Sequence, residues 1–499
     1  MSLNIRSAVK VVTKGSIMTA LLFTLLLLPP VARSQSAPQF STISNGTITV
    51  GVDVNGGGSI GYLSPAGTNG NILNIHDFGR YVGQSYYSGP QPFGNPTSAY
   101  PNWPWNPVSA GDFFGNPSQI VGFQNDGSTI YVKSIPKQWA LNNVASECTF
   151  ETWITLQNNA VSVTNRLTNS RSDVNQYQAY SQEMPATYTC GRLFQLFSYT
   201  GNQPFTNDAL TQVQNPPTSW AKYLATEEWS ALVDSTGWGL GVFHPGEQRF
   251  AGGFMANGGQ PGTGSPTDPA TGYMGPLGHE ILDHNIAYTY QYYLILGNLS
   301  DIRSFVYSHH QQVLPNYFFA SDRQRFYYNF ASDSGWPIQG HLHVNLGQGN
   351  AQVMSPTTAW QAQLAPQLFI NAAYHLSTGN TPIVGQVALK YWGNAQFSQP
   401  VQFSVIPDGQ YHIYQVNLNG QGLVTDLQFI PVANTVPGPS DSVDIASISM
   451  QGSAPPPPAP PLPGKHFHFH SPVHWHYHNH IIKQRIHIKS EGTELSHQR

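Results

Sequence analysis

The side chains able to move protons are few and grouped. His76, Asp77 and Arg80 place an imidazole, a carboxylate and an anion-binding guanidinium within five positions. Such a set can orient a reacting group, and a buried Asp–Arg pair holding a loop would use the same residues. Glu183 precedes Met184-Pro185 at the end of a polar Gln/Tyr/Ser stretch, where a strand-end carboxylate can face a cleft. Glu227 and Glu228 are adjacent, so on a strand they point to opposite faces and only one can serve a given surface. The densest ionisable cluster is His279-Glu280-Ile281-Leu282-Asp283-His284. It departs from the H-E-x-x-H zinc helix because Asp283 stands at the second histidine position, and it runs into a strand-like segment. Acid/base residues at a strand entrance are the better reading. His76, Arg80, Glu183, Glu228, His279 and Glu280 are therefore the candidate catalytic groups, provided the fold makes them converge. No G-x-S-x-G elbow and no convincing Walker or Rossmann glycine fingerprint accompanies them.

Residues 86–115 hold eight aromatic side chains, no Lys or Arg, and one acid, Asp112. Aromatic faces are large amphipathic surfaces suited to stacking on the C–H faces of sugars. Tyr86, Tyr87, Trp103 and Trp105 are the stacking candidates, with Trp103 and Trp105 foremost. The competing expectation is a loop that caps one end of a sandwich and buries its own rings. In the C-terminal stretch, His466, His468 and His470 alternate with phenylalanines, and His474, His476, His478 and His480 alternate with Trp475, Tyr477 and Asn479. An extended chain would put these imidazoles on one side, a pattern able to take Zn, Cu or Ni. Below about pH 6.5 the same stretch would become cationic and could anchor to an anionic surface. A disordered appendage without a defined ligand is the third reading. Nothing in the rest of the chain calls for a cofactor.

The elements that must position these groups are strands. Only 9% of residues are charged, against about a quarter in an average domain, while Gly, Pro, Tyr and Phe are plentiful. A helical bundle or coiled coil draws on the charged helix formers missing here. Residues 35–452 carry 12 basic and 23 acidic side chains, a balance that argues against nucleic acid as the main ligand. Arg6, Lys10 and Lys14, an apolar run over residues 17–28, and Ala32-Arg33-Ser34 have the three parts of a secretory signal cleaved before Gln35. The apolar run is shorter than the roughly 20 residues a membrane span needs, so the expected product is secreted, extracellular or periplasmic, without a transmembrane segment. In that setting Cys148 and Cys190 suggest a disulfide, and two separately buried thiols are the alternative. Period-2 alternation predicts hairpins at 149–156/161–167 and 229–234/239–243, and a long strand over 286–296. Further strands are predicted at 387–391, 401–405, 411–418 and 443–450, with a short helix over 301–311. The expected organisation is an all-β protein. A signal peptide (1–34) precedes a large β domain (35–300), a connector (301–336) and a smaller β-sandwich (337–452). A Pro-rich linker (453–464) and a disordered His-rich tail (465–499) follow.

Three stretches taken together resemble the galactose-mutarotase-like β-supersandwich of carbohydrate processing: residues 149–169 (TFETWITLQNNAVSVTNRLTN), 227–246 (EEWSALVDSTGWGLGVFHPG) and 74–90 (NIHDFGRYVGQSYYSGP). The resemblance spans roughly residues 45–300. It implies a supersandwich with an open cleft in which a histidine acid and a carboxylate base work on a sugar. Residues 337–450 resemble the jelly-roll modules that accompany such domains and bind carbohydrate, Asp408-Gly409-Gln410-Tyr411-His412 being the most family-like piece. The function so implied is a secreted protein that acts on or binds a polysaccharide or other glycan, by acid/base hydrolysis or β-elimination. The alternative is a non-catalytic glycan- or matrix-binding protein with a metal-binding tail.

Overall fold

The computed structural model describes residues 37–452, apart from residues 69, 257–261, 348 and 378–381. The expected signal peptide, the Pro-rich linker and the His-rich tail lie outside the described residues, and with them His466, His468, His470, His474, His476, His478 and His480.

Alternating apolar and polar residues set the strands, and the structure is all-β with one α-helix among the described residues. In the strand Ala160–Asn169, Val161, Val163 and Leu167 enter the core while Ser162, Thr164 and Arg166 point the other way. That strand and Cys148–Gln157 form a hairpin closed by Asn158 and Asn159, with Asn158 in the left-handed region at φ 52° as such a turn requires. Trp229–Val233 pairs with Trp238–Phe243, and Ala287–Asn298 is the long strand expected over 286–296.

Strands before residue 300 make three sheets, of three, nine and seven strands. The nine-stranded sheet contains Gln195–Ser198, Trp229–Val233, Trp238–Phe243, Ala287–Asn298, Ala160–Asn169 and Cys148–Gln157 in that order. The seven-stranded sheet runs Ala221–Leu224, Arg249–Met255, Thr271–Glu280, Tyr180–Cys190, Gly83–Ser85, Pro107–Val108 and Lys137–Gln138. Their facing sides share one core, in which Val163, Leu167 and Leu294 meet Met184 and Met274. The helix Leu299–His309 covers the outer side of the nine-stranded sheet, burying Ile302, Phe305 and Val306 against Trp229, Phe243 and Ile295.

Strands after residue 316 make two six-stranded sheets around a second core. One presents Val344, Ile370, Val443 and Ile445, and the other Val353, Val387, Leu389 and Phe429.

The connecting segment is fastened by buried charge. Arg323 lies 2.6 Å from Asp283 and 2.5 Å from Asp333, all three being almost fully buried. Arg325 pairs with Glu280 at 3.0 Å and with Glu247, and donates to the Gly246 carbonyl at 2.8 Å.

The expected disulfide does not form. Cys148 and Cys190 are free, buried thiols. Cys148 opens a strand of the nine-stranded sheet opposite Asn169, whereas Cys190 ends a strand of the seven-stranded sheet opposite Thr271. Burial pushes both thiols up, away from the reactive thiolate.

Two outcomes are expected. Neither thiol should react with an aromatic disulfide reagent in the native protein, and both should react on unfolding in urea without reductant; a requirement for reductant would restore the bridge. Arg323→Met, which strands Asp283 and Asp333, should cost about 3–5 kcal/mol in urea unfolding, whereas the exposed Arg166→Met should stay within about 0.5 kcal/mol.

Candidate functional site

The strand Tyr180–Cys190 aims a carboxylate at a ring of aromatics. Met184 points into the shared core, so its neighbour Glu183 points to the opposite face of the seven-stranded sheet. Between Glu183 and Thr187 the strand advances four residues while its partner advances three, from Leu277 to Met274. This bulge changes the parity of the strand and brings Tyr188, paired with Tyr273, to the same face as Glu183.

Glu183 is enclosed there. Tyr273 donates its hydroxyl to Oε1 at 2.6 Å, and Tyr87 donates to Oε2 at 2.8 Å. The Tyr188 and Trp220 rings lie 4.8 Å and 5.0 Å from that of Tyr273. Tyr87 is fixed from behind: its N–H donates to Gln182 Oε1 at 2.7 Å, and Gln182 Nε2 donates back to its carbonyl at 2.8 Å. Burial raises the Glu183 carboxyl above its ordinary range, against the pull of the hydroxyls of Tyr273, Tyr87 and Ser85. Burial, reinforced by Glu183, also holds Tyr87 and Tyr273 protonated, so they remain donors.

His279 shares this face. It pairs with Ser181 one step along from the Glu183–Leu277 pair, a diagonal position roughly 7–8 Å away. Its ring meets Tyr327 edge-on at 4.5 Å, and Nδ1 is buried without a hydrogen-bond partner among the described residues. Burial, with Arg249 nearby, pushes its pKa down to about 4, so the imidazole is neutral near pH 7.

The remaining candidates divide. Trp103 stands edge-on to Tyr87 at 6.2 Å, its Nε1 donating to Asn106 at 2.9 Å, and it continues the aromatic wall with Tyr100 at 4.7 Å. Trp105 and Tyr86, by contrast, are fully buried in the core and offer no stacking face. Tyr86 and Tyr87 are successive residues and point opposite ways, whereas Trp103, two positions from Trp105, lies outside the bridge that Trp105 makes with Ser88. Arg80 lies 3.4 Å from Asp77 and donates to the Pro269 carbonyl at 2.7 Å, while His76 Nδ1 meets the Thr267 carbonyl at 2.8 Å. Both therefore latch the 265–270 loop at the edge of the site, with Arg80 acting electrostatically on Tyr188.

Glu280 and Glu228 do not join. Glu280 follows His279 on the strand and so faces the other way, where it meets Arg325 and the Tyr288 hydroxyl at 2.9 Å. Burial raises it to about 7 even beside Arg325, Glu247 adding to the rise. Glu228 lies in a turn at φ 68°, buried against Gln248 at 3.0 Å and His310 at 3.3 Å. The six-residue ionisable floor is thus reduced to Glu183 and His279, with Arg80 at the rim. Sequence reasoning missed Tyr188, Trp220 and Tyr273; alternation around Glu183 would have found Tyr188 only with the bulge counted, and the other two come from neighbouring segments.

No protein-family model matches the sequence, and no curated protein does either. Among solved structures, the Slr1438 protein from Synechocystis sp. PCC 6803 is 9% identical over 54% of this chain and 100% of its own, with a TM-score of 0.35. A galactose mutarotase related enzyme from Lactobacillus acidophilus is 11% identical over 52% of this chain and 97% of its own, with a TM-score of 0.33. A galactose mutarotase-like protein from Lactobacillus casei ATCC 334 is 10% identical over 52% of this chain and 100% of its own, with a TM-score of 0.34.

The pH response of His279 has a defined sign. A free histidine titrates near 6.5 and the folded one near 4, so between these values the unfolded chain holds a proton that the folded chain refuses. Stability is lost as pH falls through that window. Wild type should lose more stability than His279→Gln between pH 7 and pH 4.5, read from urea midpoints; equal losses would contradict the assignment.

Proposed function

We propose that this face of the seven-stranded sheet is a glycan site and that Glu183 moves a proton on the bound sugar, with neutral His279 beside it. The observation that carries the reading is a carboxylate of raised pKa held by the buried Tyr87 and Tyr273 hydroxyls, with the partly exposed Tyr188 and Trp220 rings beside Tyr273 left to meet a sugar. Aromatic faces take the C–H faces of a pyranose, and a carboxyl raised toward neutrality can both accept and return a proton.

The chemistry leans to elimination rather than two-carboxylate hydrolysis. Tyrosyl hydroxyls, an imidazole and Arg80 surround the face, and Asp77, the other carboxylate that acts on Tyr188, is paired with Arg80 at 3.4 Å. In a uronic acid residue, Glu183 would take the proton at C5. The electron pair would form the C4–C5 double bond, the C4–O bond would break, and a tyrosyl hydroxyl would protonate the departing oxygen, neutral His279 offering a hydrogen bond only. On this reading the 1–34 segment directs export, and the protein meets its polysaccharide outside the cytoplasm.

A second reading has its own support. Both oxygens of Glu183 already accept tyrosyl hydrogen bonds, as suits a carboxylate that shapes a binding face without reacting. One experiment separates the two: a glycan array, then ultraviolet assay for unsaturated product on every polyuronate that binds. Elimination predicts that Glu183→Gln retains binding and loses turnover by on the order of 10²-fold or more, and that Trp220→Ala weakens binding. Binding without product from any glycan leaves the second reading, and no glycan binding overturns both.

A further inference from the structure

The second sandwich carries a cluster that neither reading uses. Leu342 is fully buried, so His341 and His343 on either side of it point outward together. Val443 and Ile445 are likewise buried, which turns Asp444 outward directly opposite His343. On the other flank of Asp444 runs Gln367–His375, with Tyr374 buried and His375 outward opposite Ser442. Three of the ten histidines in residues 37–452 thus converge on one carboxylate.

The contacts are close. Asp444 Oδ1 lies 2.6 Å from His343 Nδ1 and 3.6 Å from His341 Nε2, and Oδ2 lies 3.0 Å from His375 Nε2. Donor atoms of His341, His343 and Asp444 all fall within 4.8 Å of one another. A tetrahedral ion with bonds of about 2.0–2.1 Å separates its donors by about 3.4 Å. The observed 2.6 Å and 3.6 Å separations bracket that value, and the two imidazole donors lie within 4.8 Å of each other, so side-chain rotation would bring all three onto one ion.

We infer that His341, His343 and Asp444 bind a divalent transition ion of the zinc, copper and nickel class, with His375 holding the second carboxylate oxygen. Two imidazoles and one carboxylate suit these metals, whereas calcium and magnesium take mainly oxygen donors. His375 supplies the outer hydrogen bond that orients a ligating carboxylate. Three protein donors leave a coordination position for water. Side-chain exposures of 33% and 37% at His341 and His343 let an ion enter directly from solvent.

The His-rich tail offers donors of its own, so the test uses the full-length chain with His466, His468, His470, His474, His476, His478 and His480 replaced by Ser. Zinc titration by calorimetry and cobalt titration by visible absorbance should each show one ion. His343→Ala and Asp444→Asn should abolish it, and His375→Ala should weaken it by about 10-fold or more. His412→Ala, whose imidazole pairs with Asp408, should leave binding unchanged. Excess calcium should not displace cobalt. Melting temperatures without metal report folding, and if Asp444→Asn fails to fold, His341→Ala reads the same loss. Unchanged zinc uptake in His343→Ala, or displacement by calcium, would overturn the site.

Discussion

A buried arginine, Arg323, and a partly buried one, Arg325, hold the described part of this molecule together. Few charges are available in a chain with 9% charged residues, yet Arg323 and Arg325 collect Asp283, Asp333, Glu247 and Glu280. Buried charges are tolerated only when paired, so these contacts permit few arrangements of the connecting segment. Gln176 reinforces them by donating to Asp283 at 3.1 Å and Asp333 at 2.6 Å. Glu280 and Asp283 lie at and just beyond the end of Thr271–Glu280, the strand that also carries Tyr273 and His279. Anchoring one face of that strand fixes what its other face presents.

The same division of labour recurs around Glu183. Residues facing the core hold the strand, Gln182 clasps the backbone of Tyr87, and the opposite face is left with rings and one carboxylate. The second sandwich approaches this face through Arg249, whose Nε donates to Thr357 at 2.5 Å while its NH2 group lies 3.3 Å from Asp426. Tyr327 of that sandwich rests edge-on against His279. Depression of the His279 pKa therefore draws on both halves of the body.

Period-2 alternation made the framework legible: the hairpins, the long strand and the short helix stand close to where residue pattern puts them. It could not say which members of the aromatic loop face inward, because Tyr86 and Tyr87 differ only in phase and Trp103 lies outside the regular pairing that holds Trp105. Nor could it separate Glu183 from Glu280 before the pairing register was known. The cysteines were misjudged for a related reason, since exported context favours a bridge and only the sheets show where each thiol lies. His341-Leu342-His343 was readable in principle as two outward imidazoles on a strand. It was overshadowed by the denser alternation beyond residue 465, and Asp444 lies about a hundred positions away.

The bulge between Glu183 and Thr187 means that the aim of the carboxylate is set by counting rather than by chemistry. Four residues span what three span on the neighbouring strand, and the extra one lets Glu183 and Tyr188 look the same way. A related protein could keep every side chain around Glu183 and still lose the arrangement through a single-codon deletion at residues 184–186. Regular pairing would then turn either the carboxylate or the tyrosine into the core. For descent within this fold, insertions and deletions in that strand thus mark whether the arrangement around Glu183 is kept or lost.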